Sequence, residues 1–218
     1  MSILLVAATP LETALLRERL GLRLTDAGHW TAPGLVLLHT GIGMVNTAWT
    51  LATYLATARP TLAIDLGIAG SYDPALALGE VVEVRSDCFA ELGAETPGGF
   101  IDLQGMGFPL LEAGPHYNRL DSPWPAHTTC RGVAGITVNT VQGSAGGIAR
   151  MAARWQPQIE TMEGAAFFYA MLRTGTPFVA LRGISNYVEP RDTSRWQIAR
   201  AANAAQVAVI DLLADTVH

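Results

Sequence analysis

The hydrophobic residues of the chain fall into short continuous runs that alternate with stretches of helical spacing. Apolar runs at residues 2–8, 35–40 and 61–66 are typical of strands that are covered on both faces of a parallel sheet. Between them, the spacing of apolar residues predicts one helix over Leu11–Leu20 and another from Gly41 to about Ala58. This alternation of strand and helix is the pattern of an α/β fold.

The second half of the chain continues this alternation with longer interruptions. Further strands are predicted at 79–89, 132–138 and 177–184, and further helices at 161–173 and from about Ser194 to Val217. The stretch 93–128 is rich in Gly, Pro and polar residues, which indicates long loops over the carboxyl ends of the strands. Residues 139–147 (NTVQGSAGG) predict a turn. Residues 1–218 are therefore interpreted as one three-layer domain around a largely parallel sheet.

Composition narrows the class of protein. Half of the 218 residues are hydrophobic and only 15% are charged, which is typical of a compact cytoplasmic α/β protein. No apolar run reaches the roughly 18–20 residues that a membrane helix needs, and the first 20 residues lack the basic start of a signal peptide. The sequence therefore predicts no membrane association.

Charge and reactive residues exclude several kinds of chemistry. All 14 basic residues are arginine, so neither a phosphate-binding loop lysine nor a Schiff-base lysine is present. A net charge of −5 without a basic block argues against binding to nucleic acid. The two cysteines and five histidines have no metal-ligand spacing. Neither a metal nor another cofactor is expected.

Two glutamates are candidates for chemistry. Glu163 lies in the predicted apolar helix 161–173, where an unpaired carboxylate would cost several kcal/mol. It either interacts with the positive end of the helix dipole or accepts two hydrogen bonds from the vicinal diol of a ribose. Glu12 sits at the first strand-to-helix turn, on the edge of the sheet where ligands bind. It either meets the helix dipole as well or acts as a general acid or base on water.

Two glycine-containing segments and an asparagine indicate binding surfaces. Residues 41–46 (GIGMVN), with Asp65 roughly 20 residues on, resemble a dinucleotide fingerprint, but Asn46 replaces its third glycine. We interpret the segment as a close-approach turn beside a sugar or nucleophile pocket. Residues 65–71 (DLGIAGS) predict a turn that either lets the backbone approach a flat ligand or is an ordinary tight turn. Asn186 carries a donor and an acceptor that could read a purine edge, or it is a turn residue.

Together these segments resemble the superfamily of nucleoside phosphorylases and nucleosidases, which includes purine nucleoside phosphorylase and methylthioadenosine/S-adenosylhomocysteine nucleosidase. The resemblance covers most of the chain and runs through TPLE, TGIGMVNTA, DLGIAGS, LGEVVEV, TVQGS, ETMEGAAF and LRGISN. The segments ISNYVEPRD and PGGFIDLQGMGFPL are similar to those of the futalosine hydrolases within it. The resemblance implies a nucleoside phosphorylase-like sandwich with a mixed, mostly parallel central sheet flanked by helices. It also implies homo-oligomerisation and cleavage of an N-ribosidic bond.

The resemblance implies a role for each matched residue. Glu12 would activate the attacking water, Glu163 would hold the ribose hydroxyls, and Asn186 would meet the purine. Met162 would pack on the sugar, while Thr140 and Val141 would face the base, with a main-chain contact at Val141. The backbone turns would contribute Gly43, Ile68, Ala69 and Gly70 to the substrate pocket.

Two positions depart from the pattern of the adenine-specific nucleosidases. Those enzymes have Ser-Asp where this chain has Ser185-Asn186, and an amide donates to a 6-oxo group where a carboxyl group suits a 6-amino group. The change favours hypoxanthine over adenine and removes an obvious general acid from the base side. Ile68 replaces a serine of many relatives and costs a hydroxyl group near the nucleophile. The expected reaction is hydrolysis of futalosine to hypoxanthine and dehypoxanthine futalosine, in menaquinone biosynthesis.

Water is favoured over phosphate as the nucleophile. Residues 7–12 contain no arginine to hold a phosphate dianion, and the Glu12 carboxylate would repel one. Arg85 lies beyond a strand and leaves phosphorolysis open. Purine nucleoside phosphorylase and methylthioadenosine nucleosidase activities are therefore alternatives within the superfamily. A nicotinamide-dependent oxidoreductase and a non-catalytic nucleoside-binding protein are alternatives outside it.

The 5′ side of the substrate is the least determined part. Futalosine carries a benzoate-bearing chain there, and Arg191 either binds its carboxylate or forms a surface ion pair with Asp192 or Glu189. The residues that either line this side or pack the loops are Tyr72, Phe89, Phe100, Phe108 and His116.

Overall fold

The computed structural model describes residues 2–111 and 116–216. The strands are β1 Ile3–Ala7, β2 Arg23–Leu24, β3 Trp30–Ala32, β4 Leu35–His39, β5 Leu62–Ser71, β6 Val81–Cys88, β7 Gly93–Thr96, β8 Gly99–Asp102, β9 Arg119–Asp121, β10 Arg131–Thr137, β11 Ile159–Thr161 and β12 Phe178–Tyr187. The helices are α1 Ala14–Arg19, α2 Met44–Leu55, α3 Leu103–Met106, α4 Ala145–Trp155, α5 Gly164–Thr174 and α6 Ile198–Thr216, with 3-10 turns at Pro10–Thr13 and Thr193–Arg195.

One mixed sheet of ten strands organises the chain. Its order is β11-β10-β6-β12-β5-β1-β4-β3-β2, with β9 paired to β6. The pairs around β1, β5 and β12 are parallel, as are those of β10 with β6 and β11, whereas β12 and β6 are antiparallel. The end of β5 also pairs with β11, which closes β5, β12, β6, β10 and β11 into a ring. The two strands are antiparallel, so the carboxyl end of β5 lies beside the first residues of β11.

Helices cover both faces of the sheet. Side chains of β1 alternate between two cores, because successive residues of a strand point to opposite faces. Leu4 belongs to the core cluster that contains Phe168 of α5, and Leu5 belongs to the cluster that contains Val209 of α6. All three leucine and phenylalanine side chains are fully buried, and each such burial stabilises the fold by about 1.5–3 kcal/mol. The predicted three-layer fold with a mixed, mostly parallel sheet is confirmed.

Two predicted elements are wrong in ways that affect the site. The predicted turn at 65–71 is the second half of β5, which runs on to Ser71. Its small residues are needed because a Cβ at Gly67 would lie 2.9 Å from a Glu12 oxygen and one at Gly70 would lie 3.1 Å from the Asn186 amide nitrogen. The predicted start of the helix 161–173 is also wrong: Thr161 ends strand β11 and α5 begins at Gly164, so Glu163 stands at the N-cap of the helix and not inside it.

Other differences concern less periodic segments. The stretch 93–128 contains a hairpin of β7 and β8, a short helix and strand β9, where long loops are predicted; residues 112–115 lie outside the described part. Helix α4 begins at Ala145, inside the predicted turn at 139–147, and is absent from the prediction, because the two glycines in its first turn are typical of a loop. The first predicted helix begins as a 3-10 turn, and the last begins at Ile198. The predicted end of the last helix, Val217, lies outside the described residues.

No helix in the described ranges is long and apolar enough to cross a membrane.

Candidate active site

A cavity of ≈ 380 Å³ opens at the carboxyl ends of β1, β5, β11 and β12. The predicted site residues that line it are Glu12, Ile68, Ala69, Gly70, Val141, Met162, Glu163, Asn186 and Arg191. Residues that are distant in sequence therefore meet in one place. Gly43 reaches the site through a hydrogen bond to Glu163, whereas Thr140 is exposed and not among the lining residues.

Glu12 is held by the turn that follows β1. The backbone N–H and the hydroxyl group of Thr9 both donate to Glu12 Oε2, at 2.9 and 2.8 Å. Because both hydrogen bonds use the same oxygen, Oε1 keeps its lone pairs for another donor. That oxygen lies over Gly67, where a Cβ would approach it to 2.9 Å. The buried carboxylate thus presents one unused acceptor at the cavity.

Glu163 faces Glu12 from the opposite end of the chain. The N–H of Gly43 donates to Glu163 Oε1 at 2.8 Å, and Gly43 adopts a φ of 92°, which favours glycine. The second oxygen, Oε2, is left for a ligand. Burial raises the pKa of the Glu163 carboxyl, while the Gly43 hydrogen bond and the Arg182 guanidinium act to lower it.

A buried ion pair lies beneath the two glutamates. Arg182 of β12 donates to Asp65 of β5, and both side chains are at most 5% exposed. Burial alone would lower the pKa of Arg182, but the carboxylates of Asp65, Glu163 and Glu12 raise it above its ordinary value. Arg182 therefore stays charged and balances several carboxylates at once. No local pattern indicates this role of Arg182, since its partner Asp65 is 117 positions away.

Asn186 lies near the end of β12, just after a register shift against β5. The hydroxyl group of Ser185 donates to Asn186 Oδ1 at 2.8 Å, and Nδ2 donates to the Tyr187 carbonyl at 3.0 Å. The amide has two N–H donors, so one remains for an acceptor on a ligand. The Tyr187 carbonyl fixes which way the amide points, because a carbonyl only accepts, whereas the single Ser185 proton is shared between Asn186 Oδ1 and the Ala69 carbonyl at 3.1 Å.

A second buried carboxylate, Glu160, lines the cavity and was missed by sequence reasoning. It accepts hydrogen bonds from the Gln142 backbone N–H at 2.8 Å and from the Tyr72 hydroxyl group at 2.9 Å. Burial raises the pKa of Glu160, and both hydrogen bonds lower it by less. These contacts fix the segment around Val141 against the end of β11. Glu160 stands three residues before Glu163, and nothing in the local pattern distinguishes it as a cavity residue.

Arg191 lines the cavity beside the segment that carries Val141. Its backbone N–H donates to Gly143 at 3.1 Å, and its guanidinium lies 4.9 Å from the centre of the Trp196 ring. Of the two carboxylates predicted as ion-pair partners, Glu189 pairs with Arg195 at 3.0 Å and Asp192 accepts from Ser194. The guanidinium therefore lies against an aromatic ring at the rim of the cavity.

The contacts of Arg85, Gly43 and Asp65 bear on two alternative functions, phosphorolysis and dinucleotide binding. Arg85 pairs with Glu83 at 2.6 Å and donates to two carbonyl groups at Trp124 and Pro125, so its donors are used away from the cavity. The Gly43 N–H and the Asp65 carboxylate, which a dinucleotide would need, are bonded to Glu163 and Arg182. These contacts disfavour both a phosphate site at Arg85 and a dinucleotide site.

Most of the residues predicted either to line the 5′ side or to pack the loops make packing contacts. Phe89 contacts Tyr169 edge to face, and Phe100 contacts Trp155 in the same way. Tyr72 bonds Glu160, as described above, while Phe108 is 62% exposed. The backbone carbonyl of His116 accepts from Leu110. In the described part of the chain, no group of three or more His, Cys, Asp or Glu side chains is arranged to hold a metal ion.

Known proteins share both sequence and fold with this chain. The futalosine hydrolase of Thermus thermophilus is 36% identical over 190 residues, covering 84% of this chain and 82% of the relative. The futalosine hydrolase of Streptomyces coelicolor is 33% identical over 187 residues, covering 83% and 79%.

Solved structures show the same fold at lower identity. The methylthioadenosine/S-adenosylhomocysteine nucleosidase of Colwellia psychrerythraea in complex with adenine has a TM-score of 0.80 and 22% identity, and the match covers 98% of this chain and 95% of that one. The native futalosine hydrolase of Helicobacter pylori has a TM-score of 0.80 and 13% identity, over 99% and 98%. The family model described as the phosphorylase superfamily matches residues 3–216. With that match over nearly its whole length, the chain belongs to the phosphorylase superfamily.

Proposed function

We propose that the protein hydrolyses the N-ribosidic bond of futalosine and releases hypoxanthine and dehypoxanthine futalosine, a step of menaquinone biosynthesis. The observation that carries this proposal is that Glu12, Glu163 and Asn186 line one cavity. The sequence likeness to two futalosine hydrolases over most of both chains supports the choice of substrate.

Glu12 acts as the general base. Oε2 is held by Thr9, so Oε1 accepts the proton of a water molecule as its oxygen closes on C1′. The C1′–N bond breaks, its electron pair leaves with the purine, and the sugar passes through an oxocarbenium-like transition state. The purine anion then takes up a proton from solvent, and Glu12 gives its proton back to solvent. Arg182 below the cavity supplies the positive charge that keeps this carboxylate beside Glu163.

Glu163 holds the ribose. Its Oε1 is fixed by Gly43, and Oε2 accepts from the 2′ and 3′ hydroxyl groups. A sugar held in this way keeps C1′ in line with the water molecule on Glu12, which is the orientation contribution to catalysis. Met162, which lines the same cavity, packs against the sugar.

Asn186 selects the base. Its remaining N–H donates to O6 or N7 of a 6-oxopurine, which stabilises the negative charge that develops on the leaving base. Gly70 lies directly below, where even a Cβ would come within 3.1 Å of the amide nitrogen, so a flat ring can approach the strand. The Val141 backbone closes the other edge of the base.

Several further assignments belong to the same proposal. Arg191 meets the carboxylate of the 5′ chain, because its guanidinium stands at the rim without a carboxylate partner in the described ion pairs. The chain works in the cytoplasm as one nucleosidase-type domain over residues 1–218 and as a homo-oligomer. Exposed apolar side chains, among them Ile42 of the cavity wall at 58% and Trp49 of α2 at 75%, support such an assembly.

The experiment that tests the proposal compares futalosine, inosine and methylthioadenosine with and without inorganic phosphate, with the free base measured by chromatography. Cleavage of futalosine without phosphate supports it. Dependence on phosphate, or preference for methylthioadenosine, contradicts it.

A Glu12→Gln variant tests the role of the base. Glutamine keeps the oxygen that accepts from Thr9 and replaces Oε1 by an amide donor. We expect futalosine binding to persist, while kcat falls about 10²–10⁴-fold because proton transfer is lost. Glu18→Gln, the same change on an exposed position of α1, is the matched control. Wild-type turnover by Glu12→Gln would show that Glu12 is not the base.

A further inference from the structure

Helix α5 begins at the residue whose side chain the site needs. Glu163 is the N-cap of α5, a position whose side chain ordinarily accepts from the first free N–H groups of the helix. Its side chain makes no such bond and instead turns to Gly43 and the cavity. The first N–H groups of α5 must therefore find other acceptors.

Two threonines supply these acceptors. Thr137 and Thr161 are the last residues of the parallel strands β10 and β11, and they lie opposite each other in register. The N–H of Gly164 donates to the Thr161 hydroxyl oxygen at 3.2 Å, and the N–H of Ala165 donates to the Thr137 hydroxyl oxygen at 2.7 Å. The helix is capped from the neighbouring strands and not by its own N-cap residue.

The direction of these hydrogen bonds is set by Asp87 of β6. The Thr137 hydroxyl group donates its one proton to Asp87 Oδ1 at 2.8 Å. Its oxygen is then an acceptor only, for Ala165 and for the Thr161 hydroxyl group at 3.2 Å. Thr161 in turn keeps its own lone pairs for Gly164. The free N–H groups of α5 are thus connected step by step to one carboxyl group.

The Asp87 carboxyl group is fully buried, and two glycines leave the space that it occupies. Asp87 is 0% exposed, and its Oδ1 also accepts from the Cys88 N–H at 2.7 Å. Its Oδ2 has no hydrogen-bond partner among the described residues and lies against Gly135 and Gly164. A Cβ at Gly164 would collide with this oxygen, and one at Gly135 would lie 3.2 Å from it. A buried oxygen that borders the first turn of an eleven-residue helix also meets the positive end of its dipole.

We propose that Asp87 and Thr137 are positioning residues for Glu163: they cap α5 in its place and so leave its carboxylate free for the ribose. The inference rests on the proposed function, since it concerns the same site. Neither residue lines the cavity, so each acts only through the first turn of α5.

Thr137→Val tests the proposal, with Thr137→Ser as its matched control. Valine has the shape of threonine without the hydroxyl group, so Ala165 loses its acceptor and Glu163 is drawn toward its own helix. We expect kcat/KM for futalosine to fall about tenfold in Thr137→Val and to stay within about twofold in Thr137→Ser, which restores the hydroxyl group. Equal kcat/KM in Thr137→Val and wild type would overturn the proposal.

A double-mutant cycle separates positioning from general damage. In a Glu163→Gln background, Thr137→Val should lower kcat/KM by less than about twofold, because its effect passes through the carboxylate that is already gone. A tenfold loss in both backgrounds would mean that Thr137 serves only the fold, and the proposal would be wrong.

Hydrogen exchange distinguishes this proposal from the proposed function. If wild-type protein releases no base from futalosine, the proposed function fails, whatever the variants do. The amide protons of Gly164 and Ala165 then test the capping alone: they should exchange about tenfold faster in Thr137→Val than in Thr137→Ser. Equal exchange in the two variants would overturn the capping.

Discussion

Asp87 links the stability of the protein to pH. Burial raises the pKa of its carboxyl group to about 7, and hydrogen bonds from Thr137 and Cys88 lower it by less. In the unfolded chain the same group titrates near its ordinary value of 3.8. Between these two values the folded protein keeps a proton that the unfolded chain has released. The contribution to stability is therefore fully present below the unfolded pKa and is lost as the pH rises through the folded pKa.

The magnitude follows from the two pKa values. One pKa unit corresponds to about 1.4 kcal/mol, so wild type loses about 3 kcal/mol through Asp87 between about pH 4.5 and about pH 8.5. Asp87→Asn cannot lose this contribution. The asparagine oxygen still accepts from Cys88 and Thr137, while its buried NH₂ group adds a pH-independent cost of about 1–3 kcal/mol. The prediction therefore concerns the difference in free energy of unfolding between Asp87→Asn and wild type, and how that difference changes with pH.

Urea unfolding of both proteins across this pH range measures the effect. The free energy of unfolding of Asp87→Asn should rise relative to wild type by about 3 kcal/mol from the acidic to the alkaline end. Arg182 and Asp65, which act on Asp87 through space, are present in both proteins. Asp192→Asn is a control that should show no such change: Ser194 lowers the pKa of this exposed carboxyl from its ordinary value of 3.8, so its contribution is lost only as the pH falls below the range measured. A constant difference between Asp87→Asn and wild type would refute the reasoning.

Two further predictions concern the site. Gly67→Ala places a methyl group 2.9 Å from Glu12 Oε1, so kcat for futalosine should fall at least about tenfold while the melting temperature changes little; an unchanged kcat would contradict the assigned position of this oxygen. Asn186→Asp replaces the amide donor by a carboxyl group, so the ratio of kcat/KM for methylthioadenosine to that for futalosine should rise at least about tenfold. An unchanged ratio would show that Asn186 does not choose the base.

The strands covered on both faces were readable from sequence, because burial on two sides leaves a continuous apolar run. The run at 2–8 contains β1, and the run at 35–40 contains β4. The end of β5 was misread for the opposite reason. Its glycines resemble those of a turn. They are required because the side chains of Glu12 and Asn186 lie against Gly67 and Gly70, and contacts with residues distant in sequence leave no local periodicity.

The residues of the site also fall into some that could be predicted from the sequence and some that could not. Glu163 was recognisable as a carboxylate in an apolar helical pattern, and Glu12 and Asn186 as polar side chains that follow apolar strands. Arg182 and Asp87 were not, since each is explained by partners on other strands. The position of Glu163 was also misjudged by one element, because strand β11 has only three residues and joins directly to α5.

Closure of the ring of strands by β11 determines when the pocket can form during synthesis of the protein on the ribosome. Tyr72 and Glu160, which meet across this junction, are 88 positions apart, and β12 must lie beside β5 before the ring exists. Loop-closure entropy makes such long-range pairings late events in folding. A nascent chain whose β12 has not yet left the ribosome therefore cannot assemble the pocket, and catalytic competence arrives only after this strand has emerged.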